Sequence, residues 1–301
     1  MNQGKSAVNE SPMSVQAVGI TLGICALFAG AQVAVKVALG GFTPLFCGAL
    51  AFTISSVGLW MYGYLRGERL QLPSRQVWRL HLISAFLFVL FNGTALMGQQ
   101  LTLASRASIF LASHPFFVVL FNSFTRRRQR LNGGVLVGLG LAFAGEVVVF
   151  GDKLAVSSGA SWLGDGLMMV ASALLGLTII YLRTVTHYVS TIEAVWWQSV
   201  LSVPFFWLGA LLWESPLQIP AGFAPWWGLV YLSVGVNAIA FATRAELFRR
   251  HNANTISSFM TISPVLGVIL AHWLLGDPLN WGVGVGGAVV FAGVLLVYRY
   301  S

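Results

Sequence analysis

Charge is what this chain has least of. Only 9% of its 301 residues are charged, and nine acidic residues face 17 basic ones. A soluble globular domain carries about 25% charged residues, so a water-facing enzyme or binding module is a poor fit. Cysteine is scarce as well: Cys25 and Cys47 both sit inside apolar runs, so no disulfide framework is implied and the redox compartment stays open. The chain has no His-Glu-x-x-His zinc pair, no Gly-x-Ser-x-Gly elbow and no phosphate-binding glycine loop. His81, His114, His187, His251 and His272 are scattered rather than grouped as ligands. No catalytic residue, metal site or cofactor is therefore expected, and an intramembrane enzyme has no motif to rest on. Repeated filter loops or charged rings, the marks of a channel, are also missing.

What is abundant is apolar sequence, at 57% hydrophobic residues and a mean hydropathy of +0.79. Ten spans are expected, over 15–39, 43–65, 77–101, 105–124, 133–150, 163–185, 192–213, 226–248, 253–275 and 281–298. At about 20 residues each they fill some 200 positions, leaving short loops. The expected fold is all-α, an integral membrane protein of ten transmembrane helices. Residues 1–14, rich in Asn and Ser, read as a disordered tail. Lys5 and the first apolar run could pass for a signal peptide. However, Ala26, Leu27 and Lys36 line up with Ala173, Leu174 and Arg183, so the first helix has a counterpart and is kept.

That counterpart belongs to a duplication. The run from Asn132 matches the run from Asn280, an offset of 280 − 132 = 148 residues, through pairs such as Gly138/Gly286 and Gly145/Gly293. Earlier in each copy Ser108 and Pro115 recur as Ser257 and Pro264. The chain divides into a five-helix repeat over 15–150 and a second over 151–301. Five is odd, so the second copy enters the membrane inverted. Inverted repeats are the architecture of alternating-access carriers, with the site near the midplane.

With ten spans, the termini and the loops after even-numbered helices share one side. That side holds 14 of the 17 basic residues, Arg126, Arg127, Arg128 and Arg130 among them; the other holds only Lys36, Arg106 and Lys153. The positive-inside rule then places both termini in the cytoplasm. The net charge of +8 is thus spent on topology beside anionic lipid, and nucleic-acid binding is not expected.

The segment 261–297 resembles the closing helices of the drug/metabolite transporter superfamily in its ten-helix EamA-like form. The resemblance rests on Pro264, the Leu275-Gly276-Asp277-Pro278-Leu279 turn and Phe291-Ala292-Gly293. The first copy keeps Pro115 and Ala144-Gly145 but has Thr125-Arg126-Arg127-Arg128 in place of the turn, so Asp277 reads as a structural stop. The resemblance implies an exporter of small metabolites in a bacterial inner membrane. Its cast is similar to the exporters of aromatic amino acids; sugar phosphates, nucleotide sugars and nucleosides are the alternative cargo. A chain that contains its own inverted partner is expected to work as a monomer, with the lipid bilayer and a small molecule as partners.

Candidate site residues follow from helical spacing. His81, Phe88, Asn92 and Gln99 are 7, 4 and 7 residues apart, one face of the third helix at 3.6 residues per turn. Trp226, Ser233, Asn237 and Arg244 repeat that spacing in the eighth. The stripes read either as a polar cavity or as amides cross-linking helices. Arg244 suits a substrate carboxylate, or it snorkels to the interface, as Lys36 and Arg183 would. His114 could exchange a proton, or bond a carbonyl freed by Pro115. Pro115 and Pro264 are candidate hinges. Glu146 is a coupling candidate unless paired with Lys153 or Arg106. Trp162 could line a pocket, although interfacial belts are the commoner use of Trp.

Overall fold

The computed structural model describes residues 14–68, 74–124, 133–151, 161–250, 260 and 263–300. Every regular element among them is helical. In chain order they are α1 (Val15–Ala38), α2 (Pro44–Leu65), α3 (Arg75–Leu101), α4 (Ala104–Ala112), α5 (His114–Phe124), α6 (Gly133–Gly151), α7 (Trp162–Val185) and α8 (Thr191–Trp213). Then come α9 (Phe223–Val230), a π-helical segment (Tyr231–Ala240), α10 (Phe241–Arg250), α11 (Ser263–Leu275) and α12 (Trp281–Tyr300). Seven described stretches are long and apolar enough to cross a bilayer; the described parts of α6, α11 and α12 add shorter apolar helices. The expected 1–14 tail apart from Ser14, the Arg126–Arg130 run, Lys153 and His251 lie outside the described residues.

The burial pattern is that of a protein solvated by lipid. Val57, Trp60, Phe86, Leu208 and Leu212 are exposed, while Ser55, Ser84, Ser172, Ser202 and Ser233 are buried. A water-soluble fold would reverse this. Several of the buried hydroxyls fold back on their own helices. Ser55 donates to the Ala51 carbonyl at 2.6 Å, Thr178 to Leu174 at 2.8 Å and Ser233 to Leu229 at 2.6 Å. Apolar side chains outside and self-satisfied small residues inside make a multi-pass membrane protein.

Packing between the two halves is reciprocal. α2 packs on α8 and α6 on α12, each helix against its own sequence counterpart. The α3–α7 contact is matched by α1 against α9 and the π segment, and the α1–α11 contact by α7 against α4 and α5. Exchanging the halves leaves this set of pairs unchanged.

The same exchange holds at atomic detail. A methyl group at Gly145 would lie 2.6 Å from the Gly286 carbonyl oxygen and the Val290 nitrogen. One at Gly293 would collide with the Gly138 carbonyl and the Ala142 nitrogen, the counterparts of Gly286 and Val290.

Carboxylates close the α2–α8 pair at both ends. The N-cap Thr43 of α2 makes no side-chain capping bond; instead Glu214, just past α8, accepts from the Leu45 and Phe46 amides at 2.9 Å each. Glu68, just past α2, accepts from the N-cap Ser190 of α8 at 2.7 Å. These α2 amides have no partner within the helix, and a negative charge is favoured there. Glu214→Ala is expected to destabilise the protein by about 1–2 kcal/mol, read as a lower melting temperature in detergent. An unchanged melting temperature would show that water caps α2 equally well.

Candidate functional site

The eighth span does not wind uniformly. Between α9 and α10 ten residues form a π-helix, whose i→i+5 bonds turn the chain more slowly than an α-helix and recur at functional sites. The predicted stripe assumed 3.6 residues per turn throughout, and the π segment divides it. Ser233 and Asn237 face α2, where the Ser233 carbonyl and the Asn237 amide both meet the Ser55 hydroxyl, at 3.2 and 3.3 Å. Arg244 faces α1: its guanidinium carbon lies 5.2 Å from the Phe28 ring centre and 4.4 Å from that of Phe241. Trp226, at the far end, sits edge-on to Phe42 at 4.9 Å.

The stripe on α3 also meets several neighbours. His81 is fully buried beside Trp197 on α8, at 5.8 Å between ring centres, and neither of its nitrogens has a bonding partner. Phe88 packs edge-on against Phe52 at 5.1 Å. Asn92 donates to the Phe88 carbonyl of its own helix at 2.9 Å, and Gln99 donates to the Gln32 carbonyl of α1. Asn92 and Asn237 are therefore bonded in separate packings, α3 lying on α7 and α8 and the π segment on α1 and α2.

The fourth span is broken at Ser113, between α4 and α5. Proline at 115 has no amide hydrogen to give the Leu111 carbonyl four residues back. His114 Nδ1 takes that place, donating to the Leu111 oxygen at 2.8 Å. Of the two sequence readings of His114, the geometry places the backbone bond. Ser113 bonds Ser172 of α7 at 3.1 Å across the break. Pro264 stands in the first turn of α11, most of whose preceding residues are not described. Glu146 lies on α6, with its side chain outside the described residues. Trp162 opens α7 and is 51% exposed.

One end of the bundle is closed by polar groups that sequence reasoning did not assemble. Arg106 and Asp165 form an ion pair at 2.8 Å, with side chains 1% and 0% exposed. Thr102 donates to the same carboxylate. The Lys36 ammonium donates to the carbonyls of Gln99, Gln100 and Thr102 at 2.9, 3.1 and 2.6 Å, capping the C-terminus of α3. Asp277 accepts from the Ser105 amide and hydroxyl at 2.8 Å each, capping α4. The Asp277 turn is thus a helix cap supplied from across the molecule. Asp165 was legible only as an acid in the first turn of a span, and nothing in its local sequence names Arg106 as its partner.

A multi-pass bundle with two interlocked halves, a broken span, a π-wound span and one polar-sealed end has the parts of a membrane transporter. The EamA-like transporter family model matches the chain twice, over residues 15–151 and 162–299. The chain belongs to this family. It is 25% identical over 281 residues to an uncharacterized transporter of Archaeoglobus fulgidus, covering 90% of this chain and 93% of that one. It is 24% identical over 289 residues to one from Synechocystis sp., covering 90% and 86%. A solved crystal structure shares the fold with a TM-score of 0.67 at 20% identity, over 94% of this chain and 96% of the other.

Proposed function

We propose that this protein is a carrier that moves small metabolites through a central site by alternating access. The observation that carries the reading is the reciprocity of packing: two halves that exchange without changing their contacts can rock against each other into two related states. The sealed end supports inversion of the repeats. It gathers the C-terminal end of α1 with the N-terminal end of α7 through Lys36, Thr102 and Asp165, so these counterpart helices run in opposite directions. The proposal includes ten spans, both termini in the cytoplasm and a place in a bacterial inner membrane. On that topology the polar end of the bundle faces outward. Export of amino acids, aromatic ones above all, is the favoured cargo, with phosphorylated sugars and nucleosides next.

The test is flux into proteoliposomes holding the purified protein. A carrier is expected to give saturable uptake of labelled Phe, Trp or Thr, accelerated when the same compound is loaded inside. Uptake linear in concentration and blind to internal substrate would sink the carrier reading. Saturable flux confined to phosphorylated sugars would keep the carrier and change its cargo.

A further inference from the structure

α1 and α7 match each other residue for residue in their bounds and caps. Each is 24 residues long, and their first and last residues stand 162 − 15 = 147 and 185 − 38 = 147 positions apart. Ser14 and Ser161 cap them alike, accepting from the Ala17 and Gly164 amides at 3.2 and 2.9 Å. Each carries a basic residue in its last turn, Lys36 and Arg183, again 183 − 36 = 147 apart. The surroundings of the two cations differ. The Lys36 ammonium takes the carbonyls of Gln99, Gln100 and Thr102, and the Ser161 amide takes that of Leu101 at 2.9 Å. The end of α3, whose last carbonyls have no partner within the helix, is thus clasped between the end of α1 and the start of α7. The counterpart place is open. α10 ends at Arg250, 250 − 101 = 149 positions after the end of α3. Between it and the start of α1 lies a cavity of about 360 Å³, lined from α1 by Ser14, Gln16 and Ala17 and from α10 by Thr243, Glu246 and Leu247. Arg183 is exposed.

We propose that Lys36 and Arg183 are alternate latches, one for each state of the carrier. In the state seen here Lys36 holds the end of α3. In the other, Lys36 lets go, the start of α1 closes on the end of α10, and Arg183 caps the carbonyls there. This rests on the carrier reading and its inverted repeats. The chemistry is matched at both ends: the last carbonyls of a helix carry partial negative charge, and a lysine or arginine is favoured beside them. The two latches are not equally backed. Asp165, in the first turn of α7, holds Arg106 and Thr102 in this state. Its counterpart, at 165 − 147 = 18, is Val18, and α1 has no acid in its first turn. The state seen here is therefore the more firmly tied, and the second leans more heavily on Arg183.

The test places spin labels on cysteine pairs in the intact protein in lipid nanodiscs, with Cys25 and Cys47 replaced by alanine. Gln16 with Thr243 spans the cavity, and Gln100 with Leu163 stands beside the Leu101–Ser161 bond. With both latches intact, the first distance is expected to be mainly long and the second mainly short. Lys36→Met is expected to raise the opposite population, cavity closed and clasp open, by about tenfold or more. Lys36→Arg is expected to restore the original distances. Adding Arg183→Met to Lys36→Met is expected to remove the closed-cavity population again, which a loss of packing at Lys36 alone would not do. Lys36→Gln takes the place of Lys36→Met should the latter fail to fold. Distances unmoved by the loss of Lys36, a clasp that opens without closing the cavity, or a closed cavity that survives the added Arg183→Met would each overturn the proposal. Latch-dependent distances without saturable flux would keep the exchange and discard the carrier. Saturable flux with distances indifferent to both cations would do the reverse.

Discussion

Asp165→Ala is expected to be among the most damaging single substitutions, at about 3–5 kcal/mol. The aspartate's two oxygens take the Arg106 Nε at 3.3 Å, its Nη2 at 2.8 Å and the Thr102 hydroxyl. Removing it takes the counter-ion from a guanidinium that is 1% exposed, and a buried charge that loses its counter-ion is costly. The expected readout is a fall in melting temperature on the order of 10 °C. The double variant Arg106→Met with Asp165→Leu removes both charges at similar volume and is expected to recover most of that loss, since an apolar pair often replaces a buried ion pair without cost. A function follows from the same geometry. Thr102 also gives its carbonyl to Lys36, so losing Asp165 loosens α1, α3, α4 and α7 together. A cysteine placed at Ala104, which is 0% exposed, is expected to react with a polar maleimide faster in the Asp165→Ala background. Cys25 and Cys47 are buried and contribute little background. Unchanged labelling would reduce the ion pair to a structural tie with no part in sealing the bundle.

The sequence disclosed the elements better than their contacts. Apolar run length is a one-dimensional property, and the seven described stretches long enough to cross a bilayer begin and end within a few residues of the hydropathy reading. Two departures have local causes. Pro115 breaks the fourth span because it cannot satisfy Leu111, and the carbonyl it frees was already part of the sequence reading. The π winding of 231–240 has no comparable signature: Tyr-Leu-Ser-Val-Gly-Val-Asn-Ala-Ile-Ala reads as an ordinary apolar helix. That winding turns Arg244 away from Asn237, so the eighth-helix stripe was sound in composition but divided in space. Asp165, Glu214 and Asp277 fared worst. Each acts on a residue 59 to 172 positions away, and a carboxylate at a span end looks the same whether it faces water or caps a distant helix. Glu68 and Glu214 do stand 146 residues apart, close to the repeat offset, so a search for recurring acids just past the second and seventh spans would have found that pair.

Alanine at Gly145 and alanine at Gly293 are expected to cost about the same, roughly 1–3 kcal/mol each. Both glycines lie where α6 and α12 bring backbone against backbone, so the added methyl meets a carbonyl oxygen and an amide nitrogen, which cannot turn aside. Close approach through small residues is how helices associate in lipid, where no hydrophobic force drives them together. Gly140→Ala and Gly284→Ala supply the contrast. They lie in the same two helices with nothing within 4 Å of the added carbon, and alanine there is expected to be neutral or to stabilise by up to about 1 kcal/mol. The decisive variant is the double one. If the two contacts are independent, Gly145→Ala with Gly293→Ala costs the sum. If the halves form one reciprocal joint, the first methyl already parts the helices and the second finds room, so the double cost falls short of the sum by more than about 0.5 kcal/mol. Unequal single costs would mean that the joint is less symmetric in its energetics than in its geometry. Such a joint would favour one tilt of the halves over the other, and transport measured in the two directions would then respond differently to the two alanines.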